Sequence, residues 1–390
     1  MAMNKYKIDW PIWPQYGQEE YDAVQRVIKS NQLFADKEVR EFEQKYAEYI
    51  GSEYVLGIGN ATHGLHLSLA ALDIGVGDEV IVTPYSFISS ASCVLMQNAI
   101  PIFCDIENES LGLCPKDIEK KISERTKAII VVHMFGYPAK IKEIVEIAKK
   151  HKLAIIEDAS HAHGAKSHDI NIGNFGEISV FSLHQRKVLS VGDGGIICMK
   201  NKEHYEKIYR MRSFGHTELS YNYRMTEFAG ALGKVQLEKL DIQNEIRRDN
   251  FKVLSENLKN NTSLFIRSCR DHEYGVYYAI EIEVLSDDLQ TIRSKVNILK
   301  DIGISIRETF VQPSLHKHPH FNPSVTPARG LPWEHPNYDG VMKNKSYKDL
   351  DLPNANKYCS PRILELYVHP PVNQELIEKT VSAINDIFKY

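Results

Sequence analysis

The chain reads as an α/β protein whose larger part is built on a mostly parallel sheet. Short apolar runs alternate with amphipathic segments of helical period as far as Ile156, and strands that alternate with helices pair in parallel with helices on both faces. Two strands also end in polar side chains. Leu153-Ala154-Ile155-Ile156 leads into Glu157-Asp158-Ala159-Ser160-His161, and Phe181-Ser182-Leu183-His184-Gln185-Arg186-Lys187 runs toward the turn Gly192-Asp193-Gly194-Gly195. Ligands of open α/β sheets bind outside the carboxyl ends of strands, so one acidic and one basic strand end predict a site.

Taken in order, Tyr21, Val24, Val27 and Ile28, then Val39, Phe42, Tyr46, Tyr49 and Ile50, fall at helical spacing and give two opening helices. A helix over Leu65 to Leu72 precedes a strand at Glu79-Val80-Ile81-Val82; Ile102-Phe103-Cys104 is strand-like, and Ile118 to Ile122 is helical. Ala128-Ile129-Ile130-Val131-Val132 is a strand, and Ile141, Ile144, Val145 and Ala148 form the inner face of a helix over Ala139 to Lys150. A mixed-charge helix from about Glu227 to Leu258 leads into a segment of different character. There Tyr277-Tyr278-Ala279-Ile280-Glu281-Ile282 is strand-like, Pro313 to Pro336 is rich in Pro and His, and Leu376, Ile377, Val381, Ile384 and Ile387 close the chain as an amphipathic helix. Single cores stop growing at roughly 250 to 300 residues. The 390 residues therefore predict a large domain over 1–250 and a smaller α+β domain over 251–390.

A net charge of -4 and a pI near 6.5 lack the clustered basic face that nucleic acid or an anionic membrane calls for. Six cysteines are spread along the chain with no CxxC pair, which predicts reduced thiols. No apolar segment follows Met1 and no later run approaches the length of a membrane span, so a cytoplasmic protein is expected.

Several further motifs stand in order along the chain. Gly59-Asn60-Ala61-Thr62-His63-Gly64-Leu65 is a turn opening a helix, whose free amides and positive dipole end suit a phosphate; taken alone, such a turn is more often a plain loop. Pro84-Tyr85-Ser86-Phe87 follows a strand, Tyr221-Asn222-Tyr223-Arg224-Met225-Thr226-Glu227 precedes the long helix, and Gln312-Pro313-Ser314-Leu315-His316 lies in the Pro- and His-rich stretch. With the Asp158 and Lys187 segments, these resemble the DegT/DnrJ/EryC1-type sugar aminotransferases, within the fold type I (aspartate aminotransferase-like) pyridoxal phosphate enzymes. The resemblance runs from Trp10 to about Gln243 and resumes near the C-terminus.

It implies a fold type I transferase with pyridoxal 5'-phosphate as cofactor, and a role for each matched residue. Lys187 would hold the cofactor as a Schiff base and then carry the proton, where the bland alternative is an exposed loop lysine. Asp158 would pair with the ring nitrogen and keep it protonated. His161 would meet the ring or its phenolic oxygen, although an ordinary loop histidine is an alternative. Asn60, Ala61 and Thr62, with Ala61 in place of the family's usual glycine, would receive the phosphate together with Ser182. Phe87 would stack on the ring, or else pack in the core. Asn222 would cross to the partner's phosphate, which implies a homodimer with composite sites. Arg224 is a substrate candidate or an ion-pair partner of Glu227. His316 is a substrate candidate; the alternation of His316, His318 and His320 is not read as a metal site, because Pro319 interrupts it and no acidic or thiol partner is near.

The resemblance implies an amino donor, glutamate, and a keto acceptor, with a nucleotide-linked keto sugar placed first. The Gln185-Arg186-Lys187-Val188-Leu189 stretch looks like that of members acting on cyclitol ketones, and Arg186 suits a phosphate on a small ketone if it does not simply face solvent. Retention of Lys187 argues against a dehydratase, in which histidine replaces it. A cofactor-binding regulatory protein without turnover is the alternative of another class.

Overall fold

Burial on both faces gives the central strands their nearly continuous apolar sequences. The computed structural model describes residues 6–34, 36–214, 219–321, 332–343 and 345–389. In chain order its strands begin with β1 (Tyr54–Ile58), β2 (Glu79–Val82), β3 (Ile100–Phe103), β4 (Thr126–Val132) and β5 (Ala154–Asp158). The short β6 (Lys166–Ser167) and β7 (Ile170–Asn171) follow, then β8 (Ile178–Ser182) and β9 (Gly195–Met199). Seven of them form one sheet in the order β1-β9-β8-β5-β4-β2-β3. Only β9 runs against its neighbours, so the sheet is mostly parallel, as expected.

Eight helices accompany this sheet: α1 (Gln18–Ser30), α2 (Lys37–Ile50), α3 (Ala61–Ala71), α4 (Ser89–Met96), α5 (Pro115–Lys121), α6 (Ile141–His151), α7 (Lys202–Arg212) and α8 (Glu227–Leu258). α3 packs on β8 and β9, and α6 on β4 and β5. The remainder contains β10 (Leu264–Ile266), β11 (Glu273–Tyr274), β12 (Ile280–Val284), α9 (Leu289–Asp301), β13 (Ile306–Glu308), α10 (Pro353–Tyr358), β14 (Ile363–Leu366) and α11 (Gln374–Ile387). An antiparallel sheet β10-β12-β14-β13 forms there, while β11 joins β6 and β7. α8 packs against α1, α2 and α11 and so bridges the two sheets; the boundary expected at residue 250 falls inside it. No helix of the described residues is long and apolar enough to cross a membrane.

Several local expectations change. Tyr21 and Ile28 of α1 are exposed, and Ala23 and Val27 make its buried face. Tyr277 and Tyr278 precede β12 instead of belonging to it. Tyr277 has a φ of 47° and Tyr278 N–H donates to Phe135 O at 2.9 Å, so this stretch bonds to the loop after β4. Of the Pro- and His-rich stretch, two short 3-10 turns are described, Leu315–Lys317 and Pro319–Phe321, and 322–331 lie outside the described residues.

Candidate active site

Parallel pairing brings one end of each strand to a common edge. Register aligns Val132 with Asp158, Asp158 with Val180, Ser182 with Gly195 and Gly195 with Ile58, so the carboxyl ends of β1, β4, β5 and β8 meet there. A cavity of about 310 Å³ opens at that edge. Asn60, Ala61, Thr62, Phe87, Asp158, His161, Ser182 and Lys187 all line it. Eight of the predicted site residues are therefore together.

At the end of β5, alternation of side chains separates two acids. Asp158 faces the cavity, accepting from Ser90 Oγ at 2.7 Å and from Ser160 N at 3.2 Å. Glu157 points the other way and accepts from the amides of Gly173, Phe175 and Gly176, at 2.7 to 2.9 Å, and sits 3.2 Å from His133 Nε2. One carboxylate is thus offered to a ligand and the other fixes a loop.

The cavity reaches the start of α3. Asn60 caps that helix, its Oδ1 accepting from His63 N at 3.0 Å. The amides of Ala61 and Thr62 have no hydrogen-bond partner among the described residues, as expected for the first turn of a helix. Thr62 Oγ1 and Ser89 Oγ are 2.7 Å apart beside them. β9 approaches this turn so closely that a Cβ on Gly195 would lie 2.9 Å from the Asn60 carbonyl carbon.

Lys187 sits in the loop between β8 and β9. Leu183 N to Gly194 O, Gln185 N to Gly192 O and Val191 N to Leu183 O close that loop, and Gly192 turns it with a φ of 97°, a conformation suited to glycine. The half-buried Lys187 side chain turns inward, its Nζ 5.0 Å from the centre of the Tyr278 ring. Desolvation brings its ammonium down to about 8, with Asp158 opposing and Arg307 reinforcing that shift. A minor but far larger share of the amine than in an ordinary lysine is then neutral near physiological pH, and the neutral form is the nucleophile.

His161 is stacked on Tyr278 and its Nδ1 accepts from Phe135 N at 3.1 Å. The proton therefore lies on Nε2. Burial first, and then the Lys187 charge, keep the ring neutral well below the ordinary histidine range. His163 serves a different purpose: its Nε2 donates to Ser182 O at 2.8 Å and its Nδ1 accepts from the Tyr46 hydroxyl at 2.9 Å. Phe87 is 57 % exposed, which removes the core alternative.

Four predicted residues stand apart from this cavity. Asn222 is exposed and pairs in a backbone bridge with Ser213. Arg224 stacks over Phe214 and Phe34 and makes no ion pair with Glu227. Glu227 accepts instead from the amides of Asp36, Glu38 and Val39 at the start of α2, where the helix supplies free donors. Arg186 is exposed beside a second cavity, described below. His316 is buried in a third, with Phe321, Trp333 and Tyr347, and neither ring nitrogen has a hydrogen-bond partner among the described residues. Tyr278, Trp13 and Ser90 were not anticipated; Trp13 Nε1 donates to Lys187 O at 3.0 Å.

The DegT/DnrJ/EryC1/StrS aminotransferase family model matches residues 14–385. The chain belongs to this family. It is similar to GDP-perosamine synthase of Escherichia coli O157:H7, at 29% identity over 87% of this chain and 91% of that protein. It is also similar to the L-glutamine:2-deoxy-scyllo-inosose aminotransferase of Streptomyces lividus, at 34% identity over 63% of this chain and 64% of that one. Among solved structures, an aminotransferase from Psychrobacter cryohalolentis superimposes with a TM-score of 0.86 at 28% identity, covering 97% of this chain and 98% of its own. As a family member the protein is a pyridoxal phosphate-dependent aminotransferase. The cavity fits that cofactor: an unpaired pair of helix amides for the phosphate, a carboxylate for the ring nitrogen and a partly desolvated amine for the aldehyde.

Proposed function

We propose that this aminotransferase moves an amino group from glutamate to a nucleotide-linked keto sugar, in the making of an amino sugar for a polysaccharide. The observation that carries the catalytic part is Lys187 and Asp158 lining one cavity with the open amides of α3. Pyridoxal phosphate, when bound, supplies the aldehyde that carries the amino group and a ring that takes up negative charge. Lys187 would hold the aldehyde through its Nζ, and the same Nζ would take the proton from the donor's α carbon. Asp158 favours a protonated ring nitrogen. His161, Ser182, Thr62 and Phe87 orient the group.

For the acceptor, similarity to GDP-perosamine synthase extends over 87% of the chain, whereas similarity to the scyllo-inosose aminotransferase extends over 63%. The longer match favours the nucleotide sugar, and the local Gln185 to Leu189 stretch keeps a cyclitol ketone as the second reading. His316 is our candidate for the acceptor's distal end, because Leu315 N–H donates to Pro84 O at 2.9 Å and ties its segment to the Phe87 loop. We place the enzyme in the cytoplasm as a homodimer, with Asn222 reaching the partner's cavity. The exposed Phe34, Phe214 and Leu219 around Asn222 suit such an interface.

The test is to load the enzyme with glutamate and offer GDP-, UDP- and dTDP-linked keto sugars beside cyclitol ketones, following 2-oxoglutarate and the aminated product. Turnover of a cyclitol ketone alone would reverse the order of the two readings. Turnover of neither, with a competent donor step, would overturn both.

A further inference from the structure

A second cavity, about 410 Å³, lies beside Lys187 and is lined by Trp10, Trp13, Arg186, Arg307, Tyr367 and His369 among others. Tyr278 stands between it and the Lys187 amine: Nζ is 5.0 Å from the Tyr278 centroid, and that ring packs edge-on to Tyr367 at 5.6 Å and lies 5.7 Å from His369. The Arg307 charge is felt at both Lys187 and His161.

The cavity is built to receive an anion. Glu365, fully buried on β14, accepts from Arg307 Nε at 2.7 Å, Tyr367 Oη at 2.6 Å and Phe310 N at 2.8 Å, which fixes the guanidinium. Arg307 is further held against the Tyr367 and Phe310 rings, and its Nη1 has no hydrogen-bond partner among the described residues. His369 is 6 % exposed, stacks on Trp13 at 4.8 Å, and neither of its ring nitrogens has a hydrogen-bond partner among the described residues. Leaving such a buried group unpaired is costly. Burial keeps His369 neutral, so it brings one N–H and no charge. Arg186 and Arg307 line the cavity against the single carboxylate of Glu365, and the buried Arg247 lies behind Trp13 and His369, so the excess charge is positive and suits an anion.

We infer that this cavity holds a carboxylate of the amino donor, with Arg307, Arg186 and His369 as its partners. The inference rests on the reading of glutamate as donor. With the donor's nitrogen at the Lys187 position, the α-carboxylate stays on the near side of the Tyr278 ring and the side-chain carboxylate is the one long enough to pass its edge toward Arg307. Arg186 and Arg307 act as donor-binding residues, separate from any contact with the acceptor.

The experiment uses the holoenzyme and two variants, Arg186→Gln at an exposed position and Arg307→Lys, which keeps a cation against Glu365. Calorimetry with glutarate, a dicarboxylate that cannot react, is expected to show binding about tenfold weaker in each variant than in the wild type. The acceptor's kcat/KM is expected to stay unchanged, since that ratio depends on the acceptor half-reaction alone. Single-turnover conversion by glutamate, glutamine and alanine then tells the carboxylates apart: losses with glutamate alone mean the side-chain carboxylate, and losses with all three mean the α-carboxylate. Equal glutarate affinity in the wild type and Arg186→Gln would overturn the inference, as would weakened acceptor binding with intact glutarate binding. Failure of the wild type to be converted by any amino acid would instead sink the donor reading beneath it.

Discussion

Tyr278 stacks on His161 with ring centroids 4.3 Å apart and planes 10° from parallel. Tyr278 belongs to the stretch entering β12, so the smaller sheet's side of the chain backs His161, which lines the cavity formed by the larger sheet. Because His161 Nδ1 is taken by Phe135 N–H, His161→Phe should keep the stack and orphan that amide. The loss should be about 1–3 kcal/mol in denaturant unfolding of the apoenzyme. Unchanged stability would show that the bond to Phe135 contributes nothing.

Lys187 sets a pH dependence. Its ammonium titrates at about 8 in the folded chain against an ordinary value of 10.5, so the amine is neutral above about 8 and charged below. The rate of pyridoxal phosphate capture by apoenzyme should climb about tenfold per pH unit below that value and level off above it. Between about 8 and 10.5 the unfolded chain binds the extra proton, so wild-type apoenzyme should gain stability over Lys187→Met as pH rises through that window. A capture rate that keeps climbing between about 8 and 10.5 would contradict the shift.

Glu227 and Arg224 should prove independent. Glu227 accepts three amides at the start of α2, and a bond to a charged acceptor contributes roughly 1.5–3 kcal/mol net, a value that is not additive when three donors share one carboxylate and water replaces it. Glu227→Ala should therefore destabilise the protein by about 2–4 kcal/mol in urea unfolding, and Arg224→Ala by less than about 0.5. A double-mutant cycle giving a large coupling energy between the two would restore the ion pair that the geometry excludes.

Those residues also mark the limit of what the sequence conveys. The α/β class, α8 to its termini, and the gathering of Lys187, Asp158 and the Asn60 turn followed from periodicity and from motifs fixed to strand ends. Periodicity could not tell that Glu227 faces α2, because a capping contact joins residues nearly two hundred positions apart. Nor could it place Tyr278, whose aromatic, β-branched neighbourhood reads as a strand while its amide bonds to the loop after β4. β1 escaped notice because Tyr54–Ile58 is short and contains Gly57. His316 followed its motif and still lies in another cavity, since the motif says nothing of the fold's depth there.

Gly195 tests the phosphate turn. A Cβ there would lie 2.9 Å from the Asn60 carbonyl carbon and 3.0 Å from the Ala61 nitrogen, both backbone atoms that cannot rotate away. Gly195→Ala should push the turn off β9, at a cost of about 1–3 kcal/mol. It should also weaken pyridoxal phosphate more than a stability loss alone explains, read by equilibrium dialysis below the melting range. Normal cofactor affinity in a destabilised variant would separate the turn from phosphate binding.

The proposed composite site is open to complementation. Asn222 is exposed on its own chain and lines none of that chain's cofactor cavity, so its proposed function requires a second copy. In a two-fold dimer, Lys187→Ala and Asn222→Ala chains mixed by unfolding and refolding form heterodimers in which one site carries both lesions and the other carries none. Each variant alone should be nearly inactive, and the equal mixture should recover about a quarter of wild-type activity from the half of dimers that are mixed. If Asn222 served its own chain's cavity instead, each site in the heterodimer would hold one lesion, and mixing would restore nothing.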